Sequence, residues 1–204
     1  YYQVENTSFP VYGNTVDVTY SNGEANTDPS IFLNTTFAEK PELNFIQRAL
    51  STNEFFVPSI GGTFQKEVPI KTSDMMTQQL LMDTLKMNIT LLDIPKPTNT
   101  KTFYGYKTAP VLAKMMKESD NFLAEQLLIL SSSRLSDTLN NQIAIDHIKN
   151  VELSDSPNTI KWVDGSGLSR YNLFTPASIA HLLFKMRNEF GEEKILPLMA
   201  QNGE

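Results

Sequence analysis

The triplet Ser119-Asp120-Asn121 has side chains whose types and spacing suggest chemistry. It lies between two segments with helical patterns, so the serine hydroxyl and the asparagine carboxamide can face the same side of a turn. A hydroxyl there can relay a proton, and a carboxamide can orient a neighbouring ammonium group or a substrate carbonyl. The triplet also suits the start of a helix, with Ser119 as the N-cap and Asp120 in the first turn. Both interpretations are open on the triplet alone.

A second candidate is the segment Asp164-Gly165-Ser166-Gly167. Two glycines around a serine indicate backbone conformations that only glycine adopts easily, or the close approach of another segment. The order does not match the Gly-x-Ser-x-Gly pattern of a nucleophile elbow, which disfavours a hydrolase triad of Ser166, His181 and Asp164. We interpret the segment as a structural turn in which Asp164 accepts hydrogen bonds.

The composition excludes several classes of function. The 204 residues carry a formal net charge of −6 without a basic run, which argues against a nucleic-acid or anionic-membrane partner. There is no cysteine, which excludes disulfides, thiolate zinc sites and cysteine nucleophiles. The two histidines, His147 and His181, are expected to be ordinary helix residues, and we predict no metal and no other cofactor. The apolar runs, such as 127–130, are too short for a transmembrane segment.

The first 72 residues have the pattern of β-structure. Strands are predicted over 15–20, 31–37 and 63–70, where β-branched and aromatic residues are frequent. Turn residues follow the first strand, and a short helix is predicted after Pro41, with one apolar face formed by Leu43, Ile46 and Leu50.

From Ser73 onwards the pattern becomes mainly helical. Helices are predicted over 74–87, from Thr108 to about residue 117, over 121–131 and over 137–150, followed by a short strand at 160–163. Thr175-Pro176 then starts an amphipathic helix whose apolar stripe is formed by Ile179, Leu182, Leu183, Met186 and Phe190. The predicted fold class is α+β, with a domain boundary between residues 72 and 73.

The ends of the sequence suggest a part of a longer protein. It opens on Tyr1-Tyr2 without an initiator methionine, and residues 201–204 have the composition of a turn. We therefore expect an excerpt, with any targeting segment upstream of it.

Two segments of the second half resemble one known family. Residues 106–112 (YKTAPVL) and 116–127 (MKESDNFLAEQL) resemble the region around the second active-site motif of the D-alanyl-D-alanine carboxypeptidase/endopeptidases, the low-molecular-mass class C penicillin-binding proteins. Residues 163–172 (VDGSGLSRYN), with Thr175-Pro176 behind them, are similar to that family's next landmark. The two segments occur in the family's order and at about its spacing.

The resemblance implies both a fold and a function. Residues 73–204 would be the central, largely helical part of a β-lactamase/transpeptidase-like domain, and residues 1–72 the end of a β-rich domain inserted into it. The implied activity is acyl-serine chemistry on peptidoglycan stem peptides ending in D-Ala-D-Ala, in the periplasm or cell envelope, with β-lactams as inhibitors. Ser119 would be the proton relay, and Asn121 would position the lysine of the nucleophile motif or the substrate.

The family's two other motifs do not occur in these residues. No Ser-x-x-Lys is present: residues 98–101 have its spacing with threonine for serine, and Lys71-Thr72-Ser73 approximates Lys-Thr-Gly but precedes the triplet. We therefore expect both motifs to lie outside this stretch. The alternatives are a non-catalytic homologue that binds cell-wall peptides, a β-lactamase relative, and an unrelated α+β interaction domain.

Overall fold

The computed structural model describes residues 4–59, 61–95, 98–99 and 101–200. The chain divides into two compact units, Tyr1–Pro97 and Thr98–Glu204. The α+β class is confirmed, because the strands of the described residues all lie in the first unit and five of their six α-helices in the second. The terminal residues that suggested an excerpt, Tyr1-Tyr2 and 201–204, lie outside the described residues, as does Thr100 of the 98–101 motif.

The first unit contains two three-stranded sheets. Its strands are β1 (Thr15–Ser21), β2 (Glu24–Asp28), β3 (Phe37–Lys40), β4 (Gln47–Arg48), β5 (Phe55–Pro58) and β6 (Thr63–Pro69). One sheet has the antiparallel order β2-β1-β6, and the other has the order β3-β5-β4 with β3 and β5 parallel. Asn22-Gly23, both at positive φ, form the two-residue turn between β1 and β2 that this dipeptide favours.

Two elements of this unit differ from those that the sequence predicts. The strand predicted over 31–37 is wrong: a 3₁₀ turn at Ser30–Asn34 buries Phe32, whereas Leu33 is exposed, and the strand begins at Phe37. The helix predicted after Pro41 is also wrong. Ile46 is buried there while Leu50 is 77% exposed, so the apolar residues of this stretch do not form one buried face.

Helix α1 (Asp74–Leu85) belongs to the first unit. Ser73 is its N-cap, as predicted, and its hydroxyl accepts the N–H of Met76 at 3.1 Å. Leu80 is buried in the core of the first unit and Met76 packs against that core. The division of the chain into compact units lies between Pro97 and Thr98, and the predicted domain boundary between residues 72 and 73 stays a prediction. The assignment of the two stretches to an inserted domain and a catalytic domain stays a prediction.

The second unit consists of helices and loops. Its helices are α2 (Thr108–Glu118), α3 (Asn121–Ser132), α4 (Asn141–His147), α5 (Pro176–Phe190) and α6 (Glu192–Ile195), with a π-helical turn after α4 at Ile148–Glu152. The helix predicted over 137–150 starts later, because Asn140 caps it by accepting the N–H of Gln142 at 2.7 Å. The strand predicted at 160–163 is reduced to a single bridge between Lys161 and Leu173. Leu128, Ala144 and Ile145 form a small buried cluster, against which Trp162 packs.

Helix α5 has the predicted apolar stripe but does not bury it. Ile179, Leu183 and Phe190 are 42%, 44% and 48% exposed, and Ser178 is the buried residue of the helix. Thr175 caps the helix as predicted, with its hydroxyl accepting the N–H of Ser178 at 3.1 Å. None of the helices in the described ranges is long and apolar enough to cross a membrane.

Candidate active site

Ser119 ends helix α2 in the left-handed conformation, with φ 55° and ψ 44°. The backbone N–H groups of Ser119 and Asp120 both donate to the carbonyl of Met115, the latter at 3.0 Å. The first bond is that of an αL helix end, and the second is the 6→1 bond of a Schellman motif. Glycine usually occupies this position, because a Cβ makes the left-handed region unfavourable. Among residues 101–200, Ser119 is the one non-glycine residue with positive φ.

Asp120, and not Ser119, is the N-cap of helix α3. Its Oδ1 accepts the N–H of Leu123 at 2.8 Å, and its carbonyl accepts the N–H of Ala124 at 3.0 Å. The interpretation of Ser119 as the cap is therefore wrong. An N-cap residue needs an extended backbone, which Asp120 has (φ −73°, ψ 97°) and Ser119 lacks.

The turn leaves the other two side chains of the triplet accessible. Ser119 and Asn121, the first residue of α3, are both exposed, while the carboxylate of Asp120 is engaged in capping. The junction can thus present a hydroxyl and a carboxamide, two residues apart, to a bound molecule. Their catalytic roles stay predictions.

The turn that begins at Asp164 is organised around the carboxylate of that residue. Oδ1 accepts the N–H of Gly167 at 2.8 Å and the side-chain amide of Asn172 at 2.7 Å, and Oδ2 accepts the N–H of Ser169 at 2.7 Å. Gly167 has a φ of +76°, which L side chains rarely adopt. The geometry is that of a structural turn, and its placement near a catalytic centre stays a prediction.

The same turn lies directly against helix α3. A Cβ on Gly165 would lie 2.8 Å from the carbonyl oxygen of Ala124 and 3.2 Å from the Cβ of Leu128, so only glycine fits without a shift. The carboxylate of Glu125 accepts the N–H groups of Gly165 and Ser166, both at 3.0 Å.

The sequence alone predicted no role for Glu125, although this residue belongs to the 116–127 segment that resembles the family. It is buried, with 5% of its surface exposed. The available signal was an acidic residue in an otherwise apolar helical run, one turn after Asn121. The glycine turn that it binds lies 40 residues away in sequence, and the helical pattern gives no sign of that contact.

A triad of Ser166, His181 and Asp164 is not formed. Nε2 of His181 lies 3.1 Å from Oδ1 of Asp155, and Ser166 Oγ accepts the N–H of Leu168 at 3.3 Å. Asp155 also accepts a hydrogen bond from Lys185 at 2.9 Å. The hydrogen bonds from Lys185 and His181 lower the pKa of Asp155 to about 2.

The remaining sequence candidates have structural contacts. Lys71 and Thr72, which approximate part of a Lys-Thr-Gly motif, both bind Glu5 in the first unit. His147 lies on α4, with its Nε2 3.6 Å from the carboxylate of Glu152. In the part of the chain that the structure describes, no three acidic or histidine side chains come together in a group that could hold a metal ion.

Comparisons with known proteins identify the fold. Two structures of penicillin-binding protein 4 (dacB) from Haemophilus influenzae, one of them complexed with a β-lactam, match with TM-scores of 0.63 and 0.61 at 19% and 17% identity. The matches cover 89% of this chain and 46% and 49% of the other chains, so the chain spans about half the length of these structures. The fold of this chain is therefore similar to that of about half of these structures.

The family follows from the sequence itself. The D-Ala-D-Ala carboxypeptidase 3 (S13) family matches over residues 1–204, and the chain belongs to this family. The resemblance seen in the sequence is thereby confirmed. Among curated proteins, no relative matches significantly.

Proposed function

We propose that the protein is a serine-type D-Ala-D-Ala carboxypeptidase/endopeptidase that acts on peptidoglycan stem peptides through an acyl-serine intermediate. The observation that carries this proposal is the family match over all 204 residues. The Ser119–Asn121 junction supports it, because a non-glycine residue occupies a helix end that favours glycine and both side chains are exposed.

The proposed chemistry has two steps. A serine hydroxyl attacks the amide carbonyl of the penultimate D-Ala, an ester to the enzyme forms, and the terminal D-Ala leaves as its amine takes up the proton. Water then hydrolyses the ester. In this proposal Ser119 passes the proton, and Asn121 holds the nucleophile's lysine or the substrate carbonyl. The proposal requires a nucleophile motif outside these 204 residues, because they contain no Ser-x-x-Lys.

The partners and location follow from the same proposal. The substrates are peptidoglycan peptides in the periplasm or cell envelope. β-Lactams, one of which is bound in the Haemophilus influenzae structure, would acylate the nucleophile of the complete chain. The contacts of the 164–167 turn with α3, the helix that Asn121 begins, support its proposed position near the site.

The test uses the complete natural chain, including any residues that flank these 204. We expect it to form one covalent adduct with a fluorescent penicillin and to release D-Ala from a D-Ala-D-Ala peptide. Asn121→Ala should slow both reactions, because misplacement of a reacting group weakens the near-attack geometry. Asn188→Ala changes an exposed asparagine of α5 and is the matched control; it should leave the rates of both reactions unchanged.

Two results would contradict the proposal. A folded complete chain that forms no adduct and releases no D-Ala would favour the non-catalytic peptide-binding homologue. An Asn121→Ala variant with the activity of Asn188→Ala would remove Asn121 from the site.

A further inference from the structure

Glu125 holds a buried carboxylate between three segments of the second unit. Its Oε1 accepts the N–H groups of Gly165 and Ser166 at 3.0 Å each, and its Oε2 accepts the side-chain amide of Asn141, the first residue of α4, at 2.8 Å. These three donors are neutral. The two successive backbone N–H groups form a small anion-binding concavity, which the carboxylate fills.

The contact between the 164–167 turn and helix α3 depends on a residue from each segment. Gly165 lets the turn approach the backbone of α3 to a distance that excludes a Cβ, and Glu125 binds the turn at that distance. Glu125 lies one helical turn after Asn121, so the same stretch of helix carries both the bound turn and a proposed site residue.

The buried carboxylate of Glu125 is not expected to stabilise the fold more than an apolar side chain would. Burying a carboxylate without a cation is unfavourable unless hydrogen bonds compensate, and an apolar side chain of similar volume often packs as well or better. In some proteins, however, buried hydrogen-bonded groups fix one arrangement of two segments where apolar packing allows several.

We propose that Glu125 is a positioning residue: its buried carboxylate fixes the 164–167 turn on α3 and thereby sets the place of Asn121 at the start of that helix. The proposal rests on the function proposed above and adds a residue to it. Glu125 does not touch the reacting atoms in this scheme but acts through Asn121.

The contact with Asn141 allows the hydrogen bonds of Glu125 to be tested separately from its charge. Its Nδ2 faces Glu125, and its Oδ1 is buried without a hydrogen-bond partner among the described residues. In a Glu125→Gln variant, rotation of the Asn141 amide would present this oxygen to the new NH₂ group, while the glutamine oxygen keeps the two backbone donors. Glutamine should therefore preserve the arrangement, and methionine should not.

The experiment compares Glu125→Met and Glu125→Gln in the complete chain. We expect Glu125→Met to fold but to be acylated by penicillin about 10–100-fold more slowly, because a small misplacement of a site residue has an effect of this size. Glu125→Gln should keep most of the rate. Glu189→Met, the same change at an exposed glutamate of α5, should be unaffected. Hydrogen–deuterium exchange should rise at residues 119–123 and 164–168 in Glu125→Met only.

A folded Glu125→Met variant with the wild-type acylation rate would overturn the proposal, as would a Glu125→Gln variant as slow as Glu125→Met. If the wild-type chain is not acylated, the proposed function fails instead, and unchanged exchange at 119–123 would then overturn the positioning role separately.

If Glu125→Met does not fold, variants of Asn141 test the proposal instead. Asn141→Asp places two carboxylates together and should slow acylation and raise exchange. Adding Glu125→Gln to this variant should reverse both effects, because the glutamine NH₂ can donate to the new carboxylate at residue 141. A double variant that shows no recovery would overturn the proposal.

Discussion

Replacing Ser119 by glycine should make the protein more stable and less active. The left-handed backbone at Ser119 costs a non-glycine residue about 1–2 kcal/mol, whereas glycine adopts it freely. Glycine also loses more backbone entropy on folding, which offsets about 0.5–1 kcal/mol of this gain. The expected net stabilisation is about 0.5–1 kcal/mol, or a rise in Tm of roughly 1–4 °C for a protein of about 200 residues and less for a longer chain.

The same change removes the hydroxyl that we propose as the proton relay. Acylation by penicillin should fall by about 10²–10⁴-fold, the usual effect of losing a proton-transfer group. Ser119→Ala should lose the same activity without the gain in Tm, because alanine keeps the Cβ in the left-handed region. The pair of variants therefore separates the chemical role of the side chain from the conformational role of the backbone.

The assay is a time course of adduct formation by intact-protein mass spectrometry on the complete chain, with thermal melts alongside. Lys86→Gly is the matched control, since Lys86 ends helix α1 with φ 52° and ψ 38°, nearly the conformation of Ser119. Its ion pair with Asp83 is exposed and contributes little. Lys86→Gly should raise the Tm by a similar amount and leave acylation unchanged.

Two results would refute this reasoning. Wild-type acylation in Ser119→Gly would make Ser119 a helix terminus without a chemical role. A lower Tm in Ser119→Gly, alongside a higher one in Lys86→Gly, would show that the serine side chain stabilises the junction by more than its backbone conformation costs.

Three further outcomes are expected. Gly165→Ala should lower the free energy of unfolding by about 1–3 kcal/mol in a urea titration, because the alanine Cβ would lie 2.8 Å from the carbonyl oxygen of Ala124. An unchanged urea midpoint would contradict the close packing. Desolvation raises the pKa of Glu5, but hydrogen bonds from Lys71 and Thr72 outweigh it and hold the pKa at about 2. This carboxylate therefore stabilises the fold above its ordinary pKa of 4.5 and loses that contribution as the pH falls towards 2, so Glu5→Gln should destabilise the protein at pH 7 and hardly at pH 2. The isolated 204-residue polypeptide, which has no Ser-x-x-Lys, should form no covalent adduct with penicillin, and an adduct in its intact mass would reveal a nucleophile within it.

The features that the sequence predicted correctly depend on residues close together in the chain. Ser73 and Thr175 cap their helices through hydrogen bonds that span three residues. The strand β1 follows from alternation within seven residues, and the Asn22-Gly23 turn follows from the backbone freedom of that dipeptide. Such signals need no knowledge of tertiary contacts.

The features that it missed depend on contacts between distant segments. Glu125 is explained by a turn that lies 40 residues further along the chain. Phe32 fills the core from a 3₁₀ turn, which an apolar run cannot distinguish from a strand. The stripe on α5 is an apolar face, as predicted, but periodicity does not say what covers a face, and Leu183 and Phe190 remain about half exposed.

The Ser-Asp-Asn junction combines a structural cost with accessible side chains. Asp120 carries the capping of α3, and the carbonyl of Met115 completes the end of α2, so neither Ser119 nor Asn121 is needed to satisfy the helix ends. Glycine at residue 119 would end α2 with less strain, and an apolar residue at 125 would avoid a buried charge. Both positions therefore hold residues that a chain selected only for stability would replace. Strain at the end of α2 and a buried charge in α3, six residues further along the chain, are what is expected where a protein holds reactive groups in a fixed geometry.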